Sequence, residues 1–229
     1  MKKSLTVAIK KRTFRQLWLW WILPLILIAG WRYPVLGYFI PFCMAAGLGI
    51  AAFRGRYWCD WLCPRGGTWD LLLSRVSLKK PIPSFFRDTK FRIFIMALLM
   101  AVLGTQLPRF WPSINGMGRV FVVMLSITTA AGIILGILTH PRNWCTYCPV
   151  GTLANWLGRG KHPLTIASQC NECTKCDNVC PIQIKRWQYR PAQGEKAVIP
   201  EWDCLKCGLC VEACPQKALA LGTNQGGKR

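Results

Sequence analysis

Two runs of cysteine repeat one spacing, and they constrain this 229-residue chain more than any other feature. Cys170-x2-Cys173-x2-Cys176-x3-Cys180-Pro181 is followed by Cys204-x2-Cys207-x2-Cys210-x3-Cys214-Pro215. Thiols in this x2, x2, x3 order are ligands for iron–sulfur cubanes, not disulfide staples. A zinc site has no need of eight cysteines so spaced. The first three thiolates of a run take three corners of one cubane, and the fourth reaches across to the other. The pattern therefore assigns Cys170, Cys173, Cys176 and Cys214 to one [4Fe–4S] cluster. It assigns Cys204, Cys207, Cys210 and Cys180 to a second. The proline after each fourth cysteine breaks the local helix. Gly208, beside Cys207, permits close backbone approach.

Before residue 141 the chain holds four uncharged apolar stretches: Leu17–Trp31, Tyr33–Phe53, Ile93–Pro108 and Val120–His140. The second and fourth are long enough to cross about 30 Å of hydrocarbon as helices. The first and third are short, but Trp18, Trp20, Trp21, Phe110 and Trp111 supply interfacial anchors that let a short segment span. Buried hairpins of a soluble core are the competing reading. Pro24, Pro41, Gly47 and Gly49 are better tolerated in membrane helices than in soluble ones. The basic leader (Lys2, Lys3, Lys10, Lys11, Arg12, Arg15) precedes an apolar centre with no small-x-small cleavage site, so an uncleaved anchor is expected.

The formal net charge is +21, and where it sits decides the partner. Basic residues crowd the leader, the central loop (Arg54 to Arg92) and the region after the fourth stretch, while the other two turns are poor in them. By the positive-inside rule, both termini and the central loop face the cytoplasm of a multi-pass protein of the inner (cytoplasmic) membrane. Residues 1–160 carry few acids (Asp60, Asp70 and Asp88), so the surplus is juxtamembrane and anionic lipid is the expected partner. Nucleic acid is not expected, because no basic face on a binding motif is present.

The second stretch runs into Arg56-Tyr57-Trp58-Cys59-Asp60-Trp61-Leu62-Cys63-Pro64-Arg65-Gly66. The fourth runs into Arg142-Asn143-Trp144-Cys145-Thr146-Tyr147-Cys148-Pro149-Val150-Gly151. With one gap, Arg, Trp, Cys, an aromatic, Cys, Pro and Gly recur in order. Each copy follows a pair of apolar stretches, which predicts a parallel two-helix repeat and both cysteine pairs at one depth. Cys59, Cys63, Cys145 and Cys148 then suit a third [4Fe–4S] cluster. Tetrahedral zinc and redox-active dithiols are the alternatives. Trp58, Trp61, Trp144 and Tyr147 fit an interfacial aromatic belt. Arg56 and Arg142 either offset the negative charge of a cluster or anchor in lipid. Cys43 has no cysteine near it and reads as a small hydrophobe. The insert Pro181–Asp203, with its basic and aromatic Lys185–Arg190, is either a surface hairpin or a docking face.

These features together resemble the membrane polyferredoxins typified by NapH, with NosR and the CcoG-type proteins sharing the same pieces. The resemblance covers the whole chain. It implies four transmembrane helices (residues 1–160) and a C-terminal α+β two-cluster ferredoxin domain (residues 161–229). The second Cys-Pro motif is one residue shorter than the Cys-x3-Cys-Pro of the family, which Cys59 to Pro64 follows. The family implies one-electron relay between the quinone pool or a membrane partner and a redox partner protein, as in a quinol dehydrogenase subunit. His140, near Cys145, is the candidate to take a proton from a bound quinol; a structural interfacial histidine is the plainer reading. The alternative function is a CcoG-like assembly or metal-reducing factor for a respiratory metalloenzyme. A redox sensor needs an effector domain that the sequence does not show.

Overall fold

The computed structural model describes residues 2–191, 196–200 and 203–222. Parts of the insert, residues 192–195 and 201–202, lie outside them. The chain is mostly helical, with a small three-stranded sheet near its C-terminus. Three helical stretches are long and apolar enough to cross a membrane: Pro34–Arg54, Thr89–Arg109 and Ile114–Leu138.

Helix α1 (Lys2–Leu19) carries the basic leader and gives way to α2 (Ile22–Ala29). The expected first apolar stretch is thus not one straight helix. Pro24 has no N–H to give the carbonyl of Trp20, which accepts from Leu23 N at 3.3 Å instead, and the helix breaks there. A 3-10 turn (Pro34–Tyr38) leads into α3 (Phe39–Arg54). Then come the short α4 (Tyr57–Trp61), α5 (Pro64–Thr68), a π turn (Trp69–Leu73) and α6 (Ser74–Val76). Asp88 caps α7 (Thr89–Arg109) through Lys90 N, and Ser113 caps α8 (Ile114–Leu138) through Gly116 N. At 25 residues, α8 is about 37 Å long. Gly37 and Gly118 let the 3-10 turn and α8 touch backbone to backbone, the close approach that small residues allow in apolar helix pairs. Helices α9 (Trp144–Tyr147) and α10 (Pro149–Leu157) complete this part.

The C-terminal unit is built on β1 (Leu164–Ala167), flanked by β2 (Lys196–Val198) and β3 (Leu219–Leu221), both antiparallel to it. Thr165 pairs with Val198 on one side and Ala220 on the other. Two short helices, α11 (Lys175–Asn178) and α12 (Leu209–Ala213), lie in the cysteine runs. The core is Leu164, Ile166, Ile182, Ile184, Ile199, Leu205 and Leu219, with Cys180, Cys204 and Cys210 among them.

This unit is tied to the helical part through Asp203. Its buried carboxylate accepts from Arg56 Nη1 at 3.1 Å, Arg92 Nη1 at 2.8 Å, Arg92 Nη2 at 2.5 Å and Asn155 Nδ2 at 3.2 Å. Arg87 adds bonds to the carbonyls of Ile182 and Gln183. Breaking one partner of a buried ion pair costs about 3–5 kcal/mol. Asp203→Asn therefore lowers the thermal midpoint of the detergent-solubilised protein by about 10 °C. Glu172→Gln, which breaks the exposed pair with Arg190, leaves it nearly unchanged.

Candidate iron–sulfur centres

The two Cys-Pro motifs fold alike. In each, the first cysteine donates its N–H to the carbonyl of the arginine three residues back: Cys59 to Arg56 at 3.1 Å, Cys145 to Arg142 at 3.0 Å. In each, the second cysteine precedes a proline at the first position of a helix, Cys63 before α5 and Cys148 before α10. The one-residue difference is absorbed between the cysteines. Cys148 N bonds to Trp144 O four residues back, while Cys63 N bonds to Trp58 O five residues back. The extra turn atom belongs to a π-type step, and the two tryptophans keep equivalent places.

All four cysteines line one cavity of about 150 Å³. Trp58, Arg65, Trp144 and Val150 also line it, with the apolar side chains of Ile22, Leu23, Ile26, Phe39, Ile40, Met44 and Leu125. Cys43 also lines it, a placement that sequence spacing had no means to reveal. Burial pushes the Cys63 thiol up to about 12, with Cys59 adding to the rise, so this is no environment for a free reactive thiolate.

The arginines cross between the motifs. Arg56 Nη2, of the first, donates to Cys145 O of the second at 2.5 Å. Arg142 Nη1, of the second, donates to Cys59 O of the first at 3.0 Å and lies 3.7 Å from Cys145 Sγ. Both are buried, so they are not lipid anchors. Asp203 holds Arg56, and Asp70 and Asp60 hold Arg142 at 2.5 and 3.5 Å. Asp60 and Asp70 are shared with Arg12 of the leader. Each crossing needs a glycine. A Cβ on Gly66 would lie 2.8 Å from Arg142 Nη1, and one on Gly151 would lie 2.7 Å from Arg56 Nη2. Trp144 and Tyr147 are buried too, at 6 and 2 % exposure, so the aromatic-belt reading fails for them. Tyr147 packs against Phe86, Phe91 and Trp144.

The C-terminal runs duplicate one backbone path. Glu172 and Lys206, two residues after each first cysteine, have φ of 56° and 55°. Thr174 and Gly208, after each second cysteine, have 56° and 77°. Gln183 and Lys217, three residues after each fourth cysteine, have 54° and 49°. Left-handed residues alternating with right-handed ones turn successive N–H groups inward, the arrangement that binds anions. The fourth cysteines match as well: Cys180 Sγ accepts from Ile184 N at 3.4 Å, and Cys214 Sγ from Ala218 N at 3.3 Å. Cys170, Cys173, Cys176 and Cys214 line one small cavity, with Cys173 exposed at its rim. Cys180, Cys204 and Cys210 are buried together, and Cys59 packs against the core that contains them.

Arg186 was legible only as part of a basic surface segment. It is 2 % exposed, donates to Cys180 Sγ at 2.8 Å, and is drawn upward by the thiolates of Cys180, Cys210 and Cys204 against its burial. His140 stands apart from the cavity lining. Its Nδ1 accepts from Arg142 N at 3.3 Å. Burial, with Arg142, Arg87 and Lys79 nearby, pulls its pKa down to about 4 against the pull of Asp70.

The donor set suits clusters. Buried donors without a partner, Arg56 Nε, Trp144 Nε1 and Arg186 Nε, stand beside the cysteines, where the sulfurs of a cubane accept hydrogen bonds. Among the described residues, no three His, Cys, Asp or Glu side chains converge as around one metal ion. Tetrahedral thiolates on zinc lie about 3.8 Å apart at a Zn–S length of about 2.3 Å; a cubane, with one ligand per iron corner, spreads them further.

A family profile described as a 4Fe-4S dicluster domain matches residues 169–218, and a second, described as a 4Fe-4S binding domain, matches residues 36–83 and again 122–166. A ferredoxin of Methanothermococcus thermolithotrophicus is 37 % identical over 51 residues, 22 % of this chain and 77 % of the relative. Fold and site thus define an iron–sulfur protein with helices long and apolar enough to cross a membrane and a two-cluster, ferredoxin-type unit. The ferredoxin-type protein NapH of Haemophilus influenzae is 25 % identical over 77 % of this chain and 65 % of its own length. The NapH of Escherichia coli is 29 % identical over 73 % and 62 %. The chain is similar to these ferredoxin-type NapH proteins over about three quarters of its length, and it spans a little under two thirds of theirs. No solved structure matches it.

If the glycines exist to let the arginines cross, Gly66→Ala and Gly151→Ala each lower bound iron and the cluster absorbance of anaerobically purified protein. Gly49→Ala, where a Cβ meets open space, leaves both unchanged.

Proposed function

We propose that this chain relays single electrons between a membrane-side donor, the quinone pool or a membrane partner, and a redox partner protein. The carrying observation is the single cavity that joins Cys59, Cys63, Cys145 and Cys148 to an apolar wall on one side and lies against the ferredoxin core on the other. In this reading those four cysteines hold a third [4Fe–4S] cluster. Cys204, Cys207, Cys210 and Cys180 hold the cluster nearest to it, and Cys170, Cys173, Cys176 and Cys214 hold the outermost. When bound, the three clusters supply one-electron transfer in either direction.

The residues around them set the order. Arg56 bonds both Cys145 O and Asp203, the neighbour of Cys204, so the membrane-side set and the second set share one rigid support. Cys59 packs against the core that contains Cys180, Cys204 and Cys210, which supports the second set as its neighbour. Cys173, exposed at the other end, is the face for the redox partner. The apolar wall from α2 and α3 excludes water and opens the site toward lipid-soluble donors.

The membrane part, residues 1–160, is read as four spans, with α2 and the end of α1 forming the first. The recurrence of one family profile before and after residue 100 supports a parallel repeat of two helices. Loop charge supports both termini and the cysteine motifs in the cytoplasm and a place in the inner membrane.

Iron and acid-labile sulfide on anaerobically purified protein test the cluster count. About twelve iron per chain is expected, falling by about four in Cys59→Ser and equally in Cys145→Ser. About eight in the unaltered chain, with Cys59→Ser without effect, removes the third cluster from the reading.

A further inference from the structure

Three arginines stand at the paired motifs, and they are not held alike. Arg56 is ion-paired to Asp203, and Arg142 to Asp60 and Asp70. Arg65, on the cavity wall, makes no ion pair among the described residues. Its Nη2 donates instead to Thr128 Oγ1 and Thr129 Oγ1, both at 2.8 Å, and to Leu125 O at 3.3 Å, all on α8. Its guanidinium lies over the Trp144 ring, 5.3 Å from the centroid. These neutral partners fix the direction of the group without cancelling its charge. What opposes that charge is Cys148, Cys63 and Cys145.

The acids near the motifs are all committed elsewhere, Asp60 and Asp70 to Arg142 and Arg12, and Asp203 to Arg56 and Arg92, so none of them serves Arg65. The second motif has no counterpart: the residue after its Cys-Pro is Val150, which lines the same cavity. Among the described residues, Arg65 is therefore the cavity-lining cation that no carboxylate meets, and it comes from the first motif alone.

We infer that Arg65 is a positioning residue that sets the reduction potential of the cluster held by Cys59, Cys63, Cys145 and Cys148, because no carboxylate offsets its charge. The inference rests on the third cluster proposed above. Reduction adds one electron to the cluster; no bond forms or breaks and no proton need move. A fixed cation in a poorly screened site stabilises that added negative charge and raises the potential. Arg56 and Arg142 hold geometry, since each is ion-paired and crosses to a carbonyl of the other motif.

The experiment is an EPR-monitored redox titration of the full chain in detergent, with mediators and dithionite. The relevant signal is the one lost in Cys59→Ser. Arg65→Gln is expected to shift its reduction equilibrium at least tenfold toward the oxidised form, 59 mV for one electron. Arg65→Lys, which keeps the charge, stays near the parent value, and the two ferredoxin signals do not move in either variant. Val150→Arg, which adds a cation at the equivalent place, shifts the signal the opposite way and stands as the test should Arg65→Gln lose the cluster. An unshifted Arg65→Gln, or equal shifts in Arg65→Gln and Arg65→Lys, overturns the inference while about twelve iron per chain keeps the third cluster. About eight iron and no such signal overturns both.

Discussion

Burying a guanidinium costs several kcal/mol unless carboxylates and carbonyls receive it, and Arg56 and Arg142 are both almost wholly enclosed. Each solves the problem by reaching into the other motif, where the carbonyl of the first cysteine accepts it. Each is completed by an acid from elsewhere in the chain, Asp203 for one and Asp60 with Asp70 for the other. The crossing brings the two cysteine pairs to a common cavity. The acids carry the constraint outward, to Arg12 on the leader helix and to Arg92 on α7. Remove the crossing, and the pairs lose the device that sets them face to face.

The ferredoxin unit is held by the same network. Asp203 precedes Cys204, so the carboxylate that neutralises Arg56 also places the second cysteine run against the motifs. Few carboxylates are available in so basic a chain, and Asp60, Asp70 and Asp203 are spent inside at this junction. In the relay proposed above, such a junction keeps the redox groups at fixed separation.

Duplication runs through both halves, and the departures from it are informative. The cysteine runs repeat their left-handed residues place for place, and the Cys-Pro motifs repeat their arginine, tryptophan and glycine roles. The extra residue of the first motif leaves these roles intact because a wider helical turn takes it up. What the copies do not share is charge: one presents Arg65 to the cavity, the other Val150. At that position the cavity lining is charged in one copy and apolar in the other.

The cysteine spacing, the apolar stretches and the motif repeat were open to reading because each is a local pattern. Ligand spacing, hydropathy and order along the chain need no knowledge of packing. They gave the cluster loops, the membrane character and the family resemblance. Trp144, Tyr147 and Arg186 were misplaced for the opposite reason: aromatic and basic side chains look like surface groups until their neighbours are known, and burial depends on residues far off in the chain, as that of Tyr147 does on Phe86 and Phe91. The kink at Pro24 was written in the sequence, but the way Trp20 and Leu23 re-pair around it was not. By itself the sequence determined which atoms were available to bind iron, since that is a matter of residue type and interval. Only the tertiary structure decided which thiols share a cavity, which arginines lose their charge to an acid and which keep it, because those depend on distances that close only when the chain is folded.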